Sequence, residues 1–189
     1  LAELAENFSI DGISKAPSVF DYEKLAWFNG EYLRAKTPEE FTEIAMPYYQ
    51  QVFGDTQVDW AVLTSILQPR VVRLTDIPSM IGFLKELPEY DKELFTNKQS
   101  KANLDNAPDM LKAAIEALTA LPEWNVTAIH DCLIGLAQQL EVKNGTLLWP
   151  VRIAAAGMQV TPGGAMEILA ILGKEESLRR LELGLAKLS

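Results

Sequence analysis

One histidine and one cysteine bound the chemistry open to this 189-residue chain. His130 and Cys132 stand two positions apart in "VTAIHDCLIGLAQQLEV". A single histidine excludes the two-histidine metalloprotease motif, and a single cysteine excludes zinc sites built from several thiolates. A serine or cysteine triad using His130 stays open. The apolar spacing of Ile129, Leu133, Leu136 and Leu140 predicts instead that both residues sit mid-helix beside the core. Carboxylate pairs occur at Glu39/Glu40 and Glu175/Glu176, both at expected helix starts. The helix dipole favours negative charge there, so these pairs are expected to complement helix ends rather than move protons. No nucleophile, base and orienting group come together, and no catalytic residue or metal site is assigned.

The remaining candidates are suited to binding. Arg70 follows Pro69 at a helix exit, with Arg73 three residues on. Arg152 follows Pro150 inside an otherwise apolar segment, where a charge needs a partner. A buried salt bridge to a glutamate and a functional role are both open for it. Arg73, Arg179 and Arg180 are expected on the solvated surface. "TPGGA", residues 161–165, lacks the lysine and spacing of a P-loop. Ahead of a helix it still offers backbone amides to an anion or a base edge.

Helical elements must position these groups. Asp21 is the expected N-cap of a helix carrying Leu25, Phe28 and Tyr32 on one face. "TPEEF" places a cap at Thr37, Pro38 at the first helical position and Glu40 at the capping-box position. Pro47 predicts a kink or short break near Met46. Further helices are expected from about Gln57 to Leu67, from Thr75 or Asp76, and from Asn106. A helix around His130 is expected to end at Asn144-Gly145, a pair suited to positive φ. Others follow through "TLLWPVRIAAAG", after Thr161, and from about Lys174 with Leu178, Leu181, Leu185 and Leu188 on one stripe. "PRVVRL" and "NFSI" are the only weak strand candidates. The polar stretch from about Tyr90 to Asn106 is the expected internal boundary.

The reading is all-α, with two helical subdomains, 35–105 and 106–189, behind a linker segment, 1–34, that opens on a short irregular lead-in over residues 1–18. A hydrophobic fraction of 48% and a charged fraction of 23% suit packed cores. No apolar run has the length needed to cross a bilayer, and the start is not a secretory signal. The net charge of −9 argues against nucleic acid by itself, although a local basic patch can coexist with it. A start at Leu1 rather than methionine leads to the expectation of a segment from a longer polypeptide.

Several stretches then fall into one pattern. "FSIDGISKAPSVFDYEKLAWFNGEYLR" resembles the segment that follows the catalytic half of bacterial glutamyl-tRNA synthetases, with Ser14, Lys15, Pro17, Phe20, Asp21, Lys24, Leu25, Trp27, Asn29, Tyr32 and Arg34 in matching places. "LLWPVRIAAAG" matches the family at Pro150, Arg152, Ala154 and Gly157. "TPGGAMEILAILGKEESLRRLELGL" matches it at Thr161, Pro162, Gly163, Glu167, Leu169, Leu172, Gly173, Lys174, Glu175, Arg180 and Leu181. The resemblance covers nearly the whole chain, with the stretch from about Pro88 to Leu121 matching in pattern only.

The resemblance implies the anticodon-binding, C-terminal half of this class I aminoacyl-tRNA synthetase family, a helical cage that grips the tRNA anticodon arm. Neither an HxGH-type motif nor a KMSKS-type loop is present, so the chain alone is expected to be inactive and to need no cofactor. The full-length parent is expected to attach glutamate to its tRNA using ATP and Mg²⁺, with its catalytic domain joined in cis. Carried over by position, Arg70 is the expected base-reader of the first subdomain. Thr161, Pro162, Gly163 and Gly164 match the loop that contacts the anticodon in the second, and Arg152 matches an arginine beside it. Many relatives carry a bulky apolar residue where Gly164 stands. Gln68 and Arg70 lie near where the tRNA for glutamate is told from that for glutamine. A basic face of Arg34, Lys36, Arg70, Arg73, Lys98, Lys101 and Arg152 is expected, together with a cytoplasmic location, no membrane contact and no oligomer. The alternatives are a stand-alone helical protein–protein interaction domain and an enzyme using His130.

Overall fold

The computed structural model describes residues 21–188. The expected lead-in over residues 1–18, the strand candidate "NFSI" and the family matches at Ser14, Lys15, Pro17 and Phe20 lie outside the described residues. Nine α-helices follow among the described residues: α1 Tyr22–Arg34, α2 Pro38–Phe53, α3 Trp60–Leu67, α4 Ile77–Lys85, α5 Ala107–Thr119, α6 Val126–Gln139, α7 Asn144–Ala156, α8 Ala165–Leu172 and α9 Lys174–Leu188. Short 3-10 turns span Leu74–Asp76 and Lys92–Phe95. The described residues hold no strand, only an antiparallel bridge between Asn97 and Ala102. The all-α expectation stands, and "PRVVRL" is a turn rather than a strand.

Local chemistry explains most boundaries. The Asp21 carboxylate accepts from the Glu23 and Lys24 amides and opens α1. Thr37 and Glu40 form a reciprocal capping box with Pro38 at the first position of α2. Asp59 caps α3, a few residues later than expected. Pro47 does not break α2, which runs on to Phe53. Buried Phe41 and Ala45 before the proline, and Tyr49, Val52 and Phe53 after it, press both halves of that helix onto one core. The turn after α6 also differs from expectation. The left-handed residue is Glu141 (φ 54°), while Asn144 and Gly145 open α7. Gly145 serves close approach instead, because a Cβ there would stand 3.3 Å from the Ser100 side chain.

Helix α2 packs on α3 and α4, and α5 packs on α6, α7 and α9, with α7 also against α6 and α9. Helix α8 lies between the groups, against α6, α7 and α9 on one side and α3 and α4 on the other. One continuous apolar core runs from Leu33 to Leu181. The 90–106 segment is fastened to α7. Trp149 donates its indole N–H to the Leu94 carbonyl, and Thr146 its hydroxyl to that of Ser100.

One stripe read from the sequence does not face the core, and a second, on α9, faces it only in part: Leu178, Leu185 and Leu188 pack against the core while staying half-buried. On α1, Leu25, Phe28 and Tyr32 are exposed. That helix is held by buried Leu33, by Gly30 against Val72, and by the Asn29 amide donating to the Val72 carbonyl. On α9 the buried edge is Ser177, Arg180, Leu181 and Gly184, so only Leu181 of the expected leucine stripe is fully inside. Arg180, expected on the surface, is 0% exposed. It donates to the carbonyls of Phe83 and Leu84 at the end of α4, to that of Ala155 at the end of α7, and to the Glu176 carboxylate. Carbonyls at helix C-termini lack intrahelical partners, and one guanidinium satisfies three of them across the two groups. Arg73 and Arg179 do sit at the surface, paired with Asp76 and Glu176.

Candidate nucleic-acid interface

The chain leaves α3 at Gln68, and Pro69 prevents the helix from continuing. The Arg70 and Val71 amides both bond the Leu67 carbonyl, so the backbone folds back over the helix end. Arg70 is exposed, and its Nη1 donates to the Ile66 carbonyl at 2.9 Å. A cation placed on a C-terminal carbonyl complements the helix dipole. Gln68 is occupied elsewhere: its amide nitrogen donates to the Leu33 and Lys36 carbonyls at 3.1 and 2.8 Å, tying down the α1–α2 junction.

The second element is the segment after α7. Gly157 ends that helix at φ 66°. A Cβ there would also meet Pro88 and Tyr90 at 3.0 Å, so conformation and space both require glycine. Arg152, on the last turns of α7, has no carboxylate partner among the described residues. Its Nη1 donates to the Gln159 carbonyl at 3.0 Å and to the Thr161 hydroxyl at 2.9 Å. Its guanidinium lies 4.7 Å from the Trp149 ring centroid. Burial pulls the Arg152 pKa below its ordinary value. Thr161 in turn donates to the Gly163 carbonyl at 2.6 Å. Thr161 is therefore both acceptor and donor within its own loop. The Gly164 amide, one of those expected to be open, is already used within the loop: it donates to the Glu167 carboxylate at 3.0 Å. A Cβ at Gly164 would stand 2.9 Å from that same carboxylate oxygen.

These two elements meet. Arg70, Met80, Met158, Val160, Thr161 and Pro162 line a recess of about 270 Å³. Arg152 lies behind its loop wall, and Gly163 and Gly164 continue that wall toward α8. All six expected site residues thus belong to one neighbourhood. Met80, Met158 and Val160 were not singled out by sequence. Val160 is 83% exposed, and its one sequence signal is an apolar side chain immediately before "TPGG". Arg70 uses one donor and Arg152 two, which leaves the rest of each guanidinium unpaired among the described residues. A larger recess of about 430 Å³ involves Arg179 and Lys187. Two of its cations are already engaged, Arg179 by Glu176 and Lys187 by Glu89 and the Tyr90 carbonyl; Lys85 lines it as well.

The expected core placement of His130 is corrected: it is exposed and bonds its neighbour Asp131, because the face of α6 toward the core carries Ile129, Leu133 and Ala137. Cys132 is half-buried, and burial pushes its thiol pKa up. That opposes thiolate chemistry.

An anticodon binding domain family model matches residues 31–185. The chain belongs to this family. Among curated proteins it is 43% identical over 188 residues to a glutamate–tRNA ligase of Clostridium tetani and 44% identical over 188 residues to that of Clostridium kluyveri; both matches cover all of this chain and 38% of the relative. The chain therefore spans under two-fifths of the length of these relatives. A crystal structure of a glutamate tRNA ligase from Elizabethkingia meningosepticum shares the fold at a TM-score of 0.80 and 22% identity, covering 100% of this chain and 37% of that one. These matches agree with the family resemblance drawn from the sequence. They do not favour the stand-alone protein–protein interaction domain.

Proposed function

We propose that this chain grips the anticodon arm of a tRNA, with unstacked bases entering the recess between Arg70 and the 158–162 segment. The observation that carries this reading is the convergence of Arg70 with the Thr161 loop on one apolar recess, with guanidinium donors left over. Single-stranded bases are recognised by stacking on apolar or arginine surfaces and by hydrogen bonds to their edges. Met80, Met158, Val160 and Pro162 supply apolar surface, and Arg70 supplies edge donors. Arg152 holds the loop and offers its unused Nε and Nη2. Of the cations expected on a basic face, Arg70 and Arg152 adjoin the Thr161 loop, whereas Arg34 and Arg73 are each paired with a carboxylate.

On this reading the whole protein attaches glutamate to tRNA with ATP and Mg²⁺, in the cytoplasm, and the chemistry belongs to the part of the longer relatives that this chain does not match. Among the described residues no three His, Cys, Asp or Glu side chains come together to hold a metal ion. No step through Mg²⁺ is therefore assigned to this chain. Gln68, bound to two carbonyls, is a poor candidate for discriminating the last anticodon base, which leaves Arg70 in that role.

Titration of the chain with a short RNA hairpin bearing a glutamate anticodon tests the proposal. Saturable binding that weakens when the anticodon is changed, and that falls steeply with salt, is expected. Arg152→Ala should weaken it while the helical circular dichroism persists. No binding at low salt, or binding indifferent to the anticodon, sinks the reading.

A further inference from the structure

Arg70 and the 161–164 loop are far apart in sequence, yet both rest on one residue. Ile66, in the last turn of α3, is 5% exposed. Its carbonyl accepts the Arg70 guanidinium at 2.9 Å. Its side chain carries Gly163: a Cβ on that glycine would stand 3.2 Å from both Cδ1 and Cγ2 of Ile66. Gly163 is not among the residues with positive φ, so its backbone does not call for glycine. What a larger residue there would meet is Ile66, which would have to give by a few tenths of an ångström. Gly163 is also the residue whose carbonyl receives the Thr161 hydroxyl, and that hydroxyl receives Arg152. A single packing contact thus joins Arg70 on one side to the Thr161–Arg152 linkage on the other. Packed interiors transmit changes of even one methylene, and sites are held to about half an ångström by such supporting contacts.

We infer that Ile66 is a positioning residue that sets the spacing between Arg70 and the Thr161 loop, and with it the discrimination among anticodon bases. The inference rests on the anticodon reading above. Ile66 touches no RNA on this account and acts through Arg70 and Gly163. A methyl group added at Gly163 wedges the two elements apart. Trimming Ile66 at the same time gives part of the space back.

The test compares Gly163→Ala, Ile66→Val and the double variant in the full chain. One readout is the affinity for the hairpin with a glutamate anticodon and for hairpins altered at one anticodon base. The other is the Arg70 Nε–H NMR resonance without RNA. Gly163→Ala should bind the first hairpin roughly tenfold more weakly, with a smaller penalty for altered bases and a displaced Arg70 resonance. The double variant should recover much of the affinity, the discrimination and the resonance position. A merely structural glycine would lower stability without changing base preference. The inference is overturned if Gly163→Ala keeps the parent's discrimination, or if the double variant is no better than the single one. Should Gly163→Ala fail to fold, Ile66→Ala opens the same contact from the other side and must flatten discrimination for the inference to hold. Failure of the unaltered chain to bind the hairpin overturns the anticodon reading itself; the Arg70 resonance across the variants still decides whether Ile66 couples the two elements.

Discussion

Arg180 and Arg70 both place a guanidinium on the carbonyls that end a helix, and the two regions put the same chemistry to opposite uses. At the junction of the helical groups, Arg180 makes four hydrogen bonds, three to carbonyls and one to Glu176. It holds α4, α7 and α9 together and has little capacity for anything else. At the recess, Arg70 makes one such bond and Arg152 makes two, both to its own loop. These arginines are oriented by the protein without being saturated by it. The difference separates an arginine that builds the fold from one that can serve a ligand. It is a difference in remaining donors, invisible in residue type.

The largest test of this contrast is Arg180→Met against Arg70→Met. The first strands buried carbonyls and should destabilise the chain by about 3 kcal/mol or more in urea denaturation. The second should stay within about 1 kcal/mol of the parent while losing RNA affinity. Equal destabilisation by the two would erase the distinction. Next is Gly184→Ala, which lies beside the Arg180 contacts on α9. A Cβ there would stand 2.6 Å from the Ala154 Cβ, so overpacking should lower stability by about 1–3 kcal/mol. RNA binding by the folded fraction should be unchanged.

The smallest effect concerns acid. Hydrogen bonding by Arg179, opposed by desolvation and reinforced by Arg180, draws the Glu176 carboxyl down to about 2. A carboxylate more acidic when folded stabilises the protein fully above its unfolded pKa and loses that contribution as pH falls. The Glu176 share of stability should therefore be complete above about pH 4.5 and disappear toward pH 2. Glu176→Gln should flatten that part of the stability profile, and an unchanged acid limb would show that the Arg179 and Arg180 contacts do not hold the Glu176 carboxyl down.

The helical architecture was legible because its signals are local. Thr37, Glu40 and Pro38 mark one start unambiguously, and Asp21 marks another, since a cap and its amides lie within three residues. Signals that depend on what lies opposite were read less well. The Leu25, Phe28 and Tyr32 stripe has helical period, yet it is exposed because Asn29, Gly30 and Leu33 fix the other side of α1. Positive φ was looked for at Asn144-Gly145 and falls on Glu141, while Asn144 and Gly145 open the next helix. The candidate site was legible in part. Arg70, Arg152 and the 161–164 loop carried the family pattern, whereas Met80, Met158 and Val160 become neighbours only when α4 and the segment after α7 come together.

By itself the sequence determined that this chain is helical, where most of its helices begin, and which family it resembles, because caps, prolines and period act over a few residues. Only the tertiary structure decided which arginine is buried, which stripe faces water, and that Ile66 carries both halves of the recess. Those outcomes depend on contacts between residues distant along the chain, and a guanidinium has the same composition whether four carbonyl and carboxylate oxygens surround it or one.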